Sequence, residues 1–231
     1  SEVPSQAIDD PASYSRPGSI GLGVPERKSD AIIQASSTSA IPSAALAAYQ
    51  RAAAVINSAD KSCKIDWQLI GAIGRVESDH GRYAGNTLGD DGVSRPGIYG
   101  IALDGNNNTA LIRDTDAGQF DNDEVYDRAV GPMQFIPSTW TSVGVDADGD
   151  GKRNPQDIDD AALASAVYLC AGDDDLSTDE GRRSAVHRYN RSDSYVELVL
   201  RIREAYLAGD YSSAPNNATS AINFTPEYQL A

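Results

Sequence analysis

Glu77 is a carboxylate in an unusual place in the sequence. Ile70, Ile73, Gly74 and Glu77 recur at helical spacing, so a helix through them places the carboxyl group on an apolar face. Burial there raises the pKa of a carboxyl group and keeps it protonated near neutrality, as a general acid for glycosidic cleavage requires. The alternative is a structural glutamate that forms a salt bridge, for instance with Arg75.

A second group of residues could bind a hard cation. Asp146, Asp148 and Asp150 occupy positions 1, 3 and 5 of an EF-hand-like loop, followed by a glycine at position 6. Lys152 offers its carbonyl oxygen at position 7, and Asp157 closes the loop at position 12. This spacing predicts a structural calcium ion bound more weakly than in sensor loops, because Asp is shorter than the usual Glu at position 12. Solvated Asp-Gly turns are the alternative.

Composition limits the class of protein. The chain has 231 residues, of which 19 are basic and 34 acidic, giving a net charge of −15. This balance argues against nucleic-acid and anionic-membrane partners, and we find no apolar run long enough for a transmembrane helix. With two histidines and no nucleophile elbow, a serine or cysteine triad is not expected. Cys63 and Cys170 could be buried thiols or a disulfide, and composition does not decide between them.

Helical patterns surround these residues. We expect residues 1–40 to be a flexible extension, 41–211 to form the domain, and 212–231 to be a polar tail. Six helices are predicted. The first runs from Ser43 as N-cap to about Ala59, and the second from Asp66 as N-cap to about His80. A short third helix is capped by Ser138, the fourth runs from Ala161 to Ala171, the fifth is opened by a capping box at 177–180, and the last stops at Gly209. Residues 81–130 are rich in Gly, Asp and Asn and predict a long irregular insertion. We expect His80 to be a cation at a helix C-terminus.

Four motifs together resemble the lytic murein transglycosylases of the B type, most closely their actinobacterial branch. They are Val76-Glu77-Ser78, the run 131–138 (GPMQFIPS), the acidic loop, and Tyr189-Asn190-Arg191-Ser192. The resemblance covers about residues 41–210. It implies a mainly α, lysozyme-like domain that carries the irregular insertion and a single EF-hand-like calcium loop.

The resemblance also implies an activity and its residues. Glu77 matches the single catalytic acid of enzymes that cleave peptidoglycan glycan strands by intramolecular transglycosylation, leaving 1,6-anhydromuramyl ends. It implies calcium as a structural ion, no organic cofactor, an extracytoplasmic monomer, and a Cys63–Cys170 disulfide. Residues implied to contact or shape the substrate site are Ser78, Tyr99, Gly131, Met133, Gln134, Tyr189, Asn190 and Tyr195.

Two other functions stay open at this point. A muramidase would use water in place of the muramyl 6-hydroxyl, and its products would lack anhydro ends. A non-catalytic, calcium-braced wall-binding module would not depend on Glu77 at all.

Overall fold

The computed structural model describes residues 41–106 and 109–211, so the predicted N-terminal extension and C-terminal tail lie outside it. The described chain is mainly α. Its helices are α1 (Ser43–Ala59), α2 (Trp67–Ser78), α3 (Pro137–Val143), α4 (Ile158–Leu169), α5 (Asp179–Tyr189) and α6 (Asp193–Leu207). Within these residues, no helix combines the length and apolar character needed to cross a bilayer.

Helix α2 lies at the centre of the fold. Every residue from Leu69 to Ser78 is buried, since α1 and α6 both pack on this helix. Close packing is possible because Gly71 and Gly74 lack side chains where the ring of Tyr49 from α1 lies against α2. Helix α4 packs mainly on α1, and α5 packs on α6 and α4, which closes the core around α2.

The helix starts confirm some predicted caps and correct others. Asp66 is the N-cap of α2 and accepts a hydrogen bond from the Leu69 N–H at 2.8 Å, as predicted. The caps predicted at Ser43 and Ser138 were wrong. Both serines lie inside the first turn, and Pro42 and Ile136 occupy the N-cap positions without side-chain hydrogen bonds.

Helix α4 begins earlier than predicted. The sequence pattern placed its start at Ala161, whereas it starts at Ile158. Asp157 is its N-cap and accepts from the Asp159 N–H at 2.9 Å. This cap brings Asp160 into the first turn of a helix, directly after the acidic loop.

The irregular segment 79–136 separates α2 from α3. It contains a 3-10 turn (Tyr83–Gly85) and a two-stranded antiparallel sheet of β1 (Thr87–Leu88) and β2 (Ser94–Arg95). Isolated bridges join Tyr99 to Val130 and Val130 to Phe135. The extended stretches around Tyr99, Val130 and Phe135 therefore lie side by side. They are next to the C-terminal end of α2, where Ser78 contacts Pro132.

Candidate active site

Glu77 lies in the last turn of α2 and is 5% exposed. Burial raises the pKa of its carboxyl group to about 8, and the hydrogen bond from Tyr195 opposes that rise. The Tyr195 hydroxyl donates to Glu77 Oε1 at 2.5 Å. Glu77 is therefore protonated at neutral pH, the state that the sequence pattern predicted for a proton donor.

Tyr195 belongs to the first turn of α6 and is distant from α2 in the chain. In the fold it contacts the C-terminal end of α2. Burial, and then the charge of Glu77, hold the pKa of the Tyr195 hydroxyl well above its usual value. The hydroxyl thus stays a donor and orients one carboxyl oxygen of Glu77. Arg75, the alternative partner considered from the sequence, forms an ion pair with Asp79 one turn along α2.

Ser78 connects α2 to the irregular segment. Its Oγ donates to the Pro132 carbonyl oxygen at 2.6 Å and accepts from the Gly81 N–H at 2.8 Å. The chain leaves α2 through Asp79, which has a positive φ of 51°. Ser78 therefore aligns the turn 131–134 with the end of α2 that carries Glu77.

The turn 131–134 is a tight hairpin. Val130 and Phe135 exchange backbone hydrogen bonds at 2.8 and 3.1 Å and close it. Gln134 has a positive φ of 54°, and its Nε2 donates to the Gly131 carbonyl oxygen at 2.9 Å. Met133 is fully buried, with its sulfur beside Gly74 of α2. The turn is thus fixed from both sides before any substrate binds.

Tyr189 and Asn190 end α5 next to this turn. The Tyr189 hydroxyl donates to the Met133 carbonyl oxygen at 2.8 Å and lies 3.2 Å from Ser165 Oγ. Because Tyr189 is 2% exposed, its contacts in this structure are with protein. The Oδ1 of Asn190 is buried and has no hydrogen-bond partner in the described chain.

Tyr99 lies on the other side of the turn and is 39% exposed. It forms a bridge with Val130, and the neighbouring Gly100 N–H donates to the Ala129 carbonyl oxygen at 2.7 Å. A Cβ on Gly100 would lie 3.3 Å from Gln134 Oε1. The structure therefore brings the stretch that carries Tyr99 beside the turn that carries Gln134, although 35 positions separate the two residues in the numbering.

The acidic loop brings three carboxylates together, and they differ from the predicted set. Oxygens of Asp146, Asp148 and Asp160 lie within 4.8 Å of one another. Asp157, predicted at the closing position, instead caps α4. Asp150 is exposed and accepts from the Lys152 N–H at 2.8 Å. Asp160 was not in the predicted set, and the ligand roles of that set stay predictions. Burial raises the pKa of Asp157 to about 7, and the charges of Asp160 and Asp148 add to that rise, so Asp157 also lies near the cluster.

The donor set of this cluster fits a hard divalent cation. All three ligands are carboxylate oxygens, which calcium prefers. Burial raises the pKa of Asp160, and the charges of Asp148 and Asp146 add to that rise. A bound cation would offset this repulsion. A second acidic group, formed by Asp114, Asp116 and Asp127, lies in the irregular segment.

Residues 109–173 match the family model of the transglycosylase SLT domain. The matched segment includes the turn 131–134, α3, the acidic loop and α4, whereas Glu77 and Tyr195 lie outside it. No curated protein and no solved structure matches this chain.

The match indicates a transglycosylase SLT domain in this part of the chain, and with it a lysozyme-like fold and support for peptidoglycan as the substrate. Cys63 and Cys170 form a disulfide, with Cα atoms 5.4 Å apart. It joins the turn before α2 to the end of α4. A disulfide and a peptidoglycan-directed domain together indicate an extracytoplasmic location.

His80 was predicted to be a helix C-terminal cation, and this prediction was wrong. The ring is 1% exposed, with Nδ1 2.9 Å from the Tyr49 hydroxyl and Nε2 3.2 Å from the Tyr206 hydroxyl. Burial, and then the charges of Arg75 and Arg82, lower the pKa of His80 well below its usual value. A neutral imidazole therefore links α1 to α6 behind Glu77. Sequence pattern alone gave no signal for this, since both tyrosines are distant in the chain.

Proposed function

We propose that the protein is a lytic transglycosylase of the B type, in its actinobacterial branch, which cleaves the bond between N-acetylmuramic acid and N-acetylglucosamine and leaves 1,6-anhydromuramyl ends. The observation that carries the proposal is Glu77, a buried carboxyl group with a pKa of about 8 beside a turn that matches the transglycosylase SLT domain. The reaction needs one group that is first an acid and then a base.

In the first step Glu77 donates its proton to the glycosidic oxygen as the bond to the anomeric carbon breaks. General acid catalysis of this kind contributes about 10²- to 10⁴-fold. The Tyr195 hydroxyl, 2.5 Å from Oε1, orients the carboxyl group and stabilises the carboxylate that forms. Its hydrogen bond therefore gains strength in the transition state.

In the second step the Glu77 carboxylate takes the proton of the muramyl 6-hydroxyl while that oxygen attacks the anomeric carbon. The carboxyl group returns to its starting state, so one residue completes the cycle. Ordinary glycosidases instead place two carboxylates around the bond. The acetamido group of the substrate would supply the charge stabilisation that a second carboxylate gives elsewhere.

The substrate contacts follow from the two sides of the site. Tyr99 presents an exposed ring of the kind that stacks on sugars. Gln134 and Asn190 supply amide groups, and the unpaired Oδ1 of Asn190 is an acceptor for a sugar hydroxyl or acetamido N–H. Ser78, Gly131, Met133 and Tyr189 shape the site through the contacts described above. This division assigns stacking to the stretch 98–100 and polar contacts to the turn 131–134 and the end of α5.

A calcium ion completes the proposal, as a structural element without a chemical step. Asp146, Asp148 and Asp160 would hold it through carboxylates, with Asp150 and the Lys152 carbonyl as further donors. When bound, the ion would tie the loop to the first turn of α4.

The test is a digest of purified peptidoglycan, with muropeptide products analysed by mass spectrometry. The wild type should release anhydromuropeptides, Glu77→Gln should release about 10²- to 10⁴-fold less, and Glu180→Gln, at an exposed position on α5, should match the wild type. Reducing-end products from the wild type would instead establish a muramidase. Equal glycan binding with no products from any of the three would establish a wall-binding module.

A further inference from the structure

The side chain of Gln156 bonds both backbone groups of Ile98, next to the candidate active site. Its Oε1 accepts from the Ile98 N–H at 2.9 Å, and its Nε2 donates to the Ile98 carbonyl oxygen at 2.9 Å. The side-chain amide thus takes the place of a neighbouring strand. Its backbone carbonyl also accepts from the Ser94 N–H at 2.9 Å. Gln156 is therefore bonded to the stretch that leads into Tyr99 at two places.

Ile98 in turn is bonded to the turn that carries Gln134. The Ile98 carbonyl oxygen accepts a second hydrogen bond, from the Gly131 N–H at 2.9 Å, which its two lone pairs allow. Beyond it, Tyr99 pairs with Val130. Stretch 98–100 therefore lies between Gln156 and residues 129–131, and its register fixes the position of Tyr99 relative to the turn 131–134.

The residue before Gln156 supports the same turn directly. A Cβ on Gly131 would overlap the Pro155 carbonyl oxygen, so the two main chains are in contact. Gly131 has a positive φ of 79°. Residues 155 and 156 thus support both the turn that carries Gln134 and the stretch that carries Tyr99, from a position between the acidic loop and α4.

We infer that Gln156 is a positioning residue for glycan binding: it holds the stretch that carries Tyr99 in register with the turn 131–134, and it acts through Ile98 without touching substrate. This inference rests on the proposed function for the identity of the ligand. Because Glu77 and Tyr195 are attached to α2 and α6, the proton transfers do not depend on this amide. Loss of the amide therefore weakens glycan binding and leaves the chemical step intact.

The chain contains a matched control for the experiment. Asn57 of α1 brackets Ile65 in the same manner, accepting from its N–H at 3.1 Å and donating to its carbonyl oxygen at 2.7 Å. Ile65 precedes the N-terminus of α2, whereas Glu77 lies in its last turn. Gln156→Met and Asn57→Leu each remove the same pair of hydrogen bonds with a side chain of similar size.

The experiment has two parts. Affinity for soluble glycan strands is measured by calorimetry, with each variant combined with Glu77→Gln to prevent turnover. The values of kcat and KM are measured for the variants with Glu77 intact. Gln156→Met should weaken binding and raise KM about tenfold, as expected for two lost hydrogen bonds, with kcat within about twofold. Asn57→Leu should lower thermal stability comparably and leave affinity and KM unchanged. If Gln156→Met does not fold, Gln156→Glu, which keeps only the acceptor for the Ile98 N–H, decides the question by the same measurements.

The two proposals fail separately. Affinity unchanged in Gln156→Met, or weakened equally in Asn57→Leu, overturns the positioning role even when the wild type yields anhydro products. A fall in kcat with KM unchanged also overturns it, because the amide would then act on the chemistry. If the wild type yields no anhydro products but Gln156→Met alone weakens glycan binding, the transglycosylase proposal fails and the positioning role stands.

Discussion

Two regions of different construction meet at Glu77: the helical wall, formed by α1, α2 and α6, and the polar segment, residues 79–136. The helical wall is stabilised mainly by apolar contacts among its buried alanines, aliphatic residues and tyrosines. The polar segment has few buried apolar residues, and besides its backbone hydrogen bonds it contains a series of aspartates that accept backbone N–H groups. These aspartates are Asp91, Asp104, Asp114, Asp116, Asp121, Asp123 and Asp127.

The comparison explains why both regions are needed. A proton donor requires a dry surrounding that raises its pKa, and α2 supplies this at Glu77. A sugar-binding cleft requires polar groups and an exposed ring, which a packed helix cannot offer. The polar segment supplies these with Tyr99 and Gln134. Under the proposed function, acid strength would therefore come from the helical wall and substrate recognition from the polar segment.

The largest expected effect concerns a glycine of the polar segment. Gly131→Ala should destabilise the fold by about 5 kcal/mol or prevent folding, because the new Cβ would overlap the Pro155 carbonyl oxygen and φ is +79°. Gly85→Ala is the control, since Gly85 has a φ of +80° and nothing lies within 4 Å of an added Cβ. It should cost only about 1–2 kcal/mol of backbone strain. Urea unfolding of both variants checks this.

Similar losses for the two variants would show that backbone strain alone is decisive. The turn would then not be packed against Pro155, and the polar segment would be less rigid than its hydrogen bonds indicate.

The helical wall was largely predictable from the sequence, and the polar segment was not. Helical periodicity located α2 and the apolar surroundings of Glu77, and Asp66 was recognisable as a cap because these signals are local. His80 was misassigned because its partners, Tyr49 and Tyr206, come from other helices. The polar segment has no periodicity, and its shape depends on contacts such as that of Gln156 with Ile98, which separation along the chain conceals.

Motif matching named residues but did not predict their geometry. Tyr195 was expected to contact substrate, and the structure places its hydroxyl on Glu77. Asp157 was expected to close the cation loop; in the structure it caps α4, and Asp160 joins Asp146 and Asp148 in the acidic cluster. A spacing rule assumes one backbone path, and a helix that begins three residues early changes that path.

The second prediction tests the dryness of the helical wall through the stability of Glu77→Gln. The raised pKa means that the folded state keeps the proton of Glu77 up to about pH 8, whereas the unfolded chain releases it near pH 4.5. The contribution of Glu77 to stability is therefore full below pH 4.5 and is lost as the pH rises to about 8. Glu77→Gln should be more stable than the wild type at pH 8, by about 4 kcal/mol at most, with the difference vanishing towards pH 4.

Melting temperatures of both proteins from pH 4 to pH 9 provide the measurement, with Glu180→Gln as the exposed control. A difference that stays constant with pH would mean that Glu77 is ionised in the folded protein. The contrast between a dry and a polar wall would then not hold at this residue.

The smallest effect concerns the acidic loop, which reaches the polar segment through Gln156. We expect calcium at 100 times its dissociation constant to stabilise the wild type by about 2.7 kcal/mol, and chelation to remove this while residual activity of folded protein persists. Asp160→Asn should abolish most of the calcium response, because its carboxylate lies with Asp146 and Asp148. Asp157→Asn should keep the response, since asparagine also caps helices well.

Calcium titrations followed by melting temperature give the measurement. The reverse pattern would make Asp157 the ligand and give the loop the standard EF-hand length. The expected pattern makes the start of α4 part of the cation site, so that ion binding and the support that residues 155 and 156 give to Gly131 depend on the same few residues of backbone.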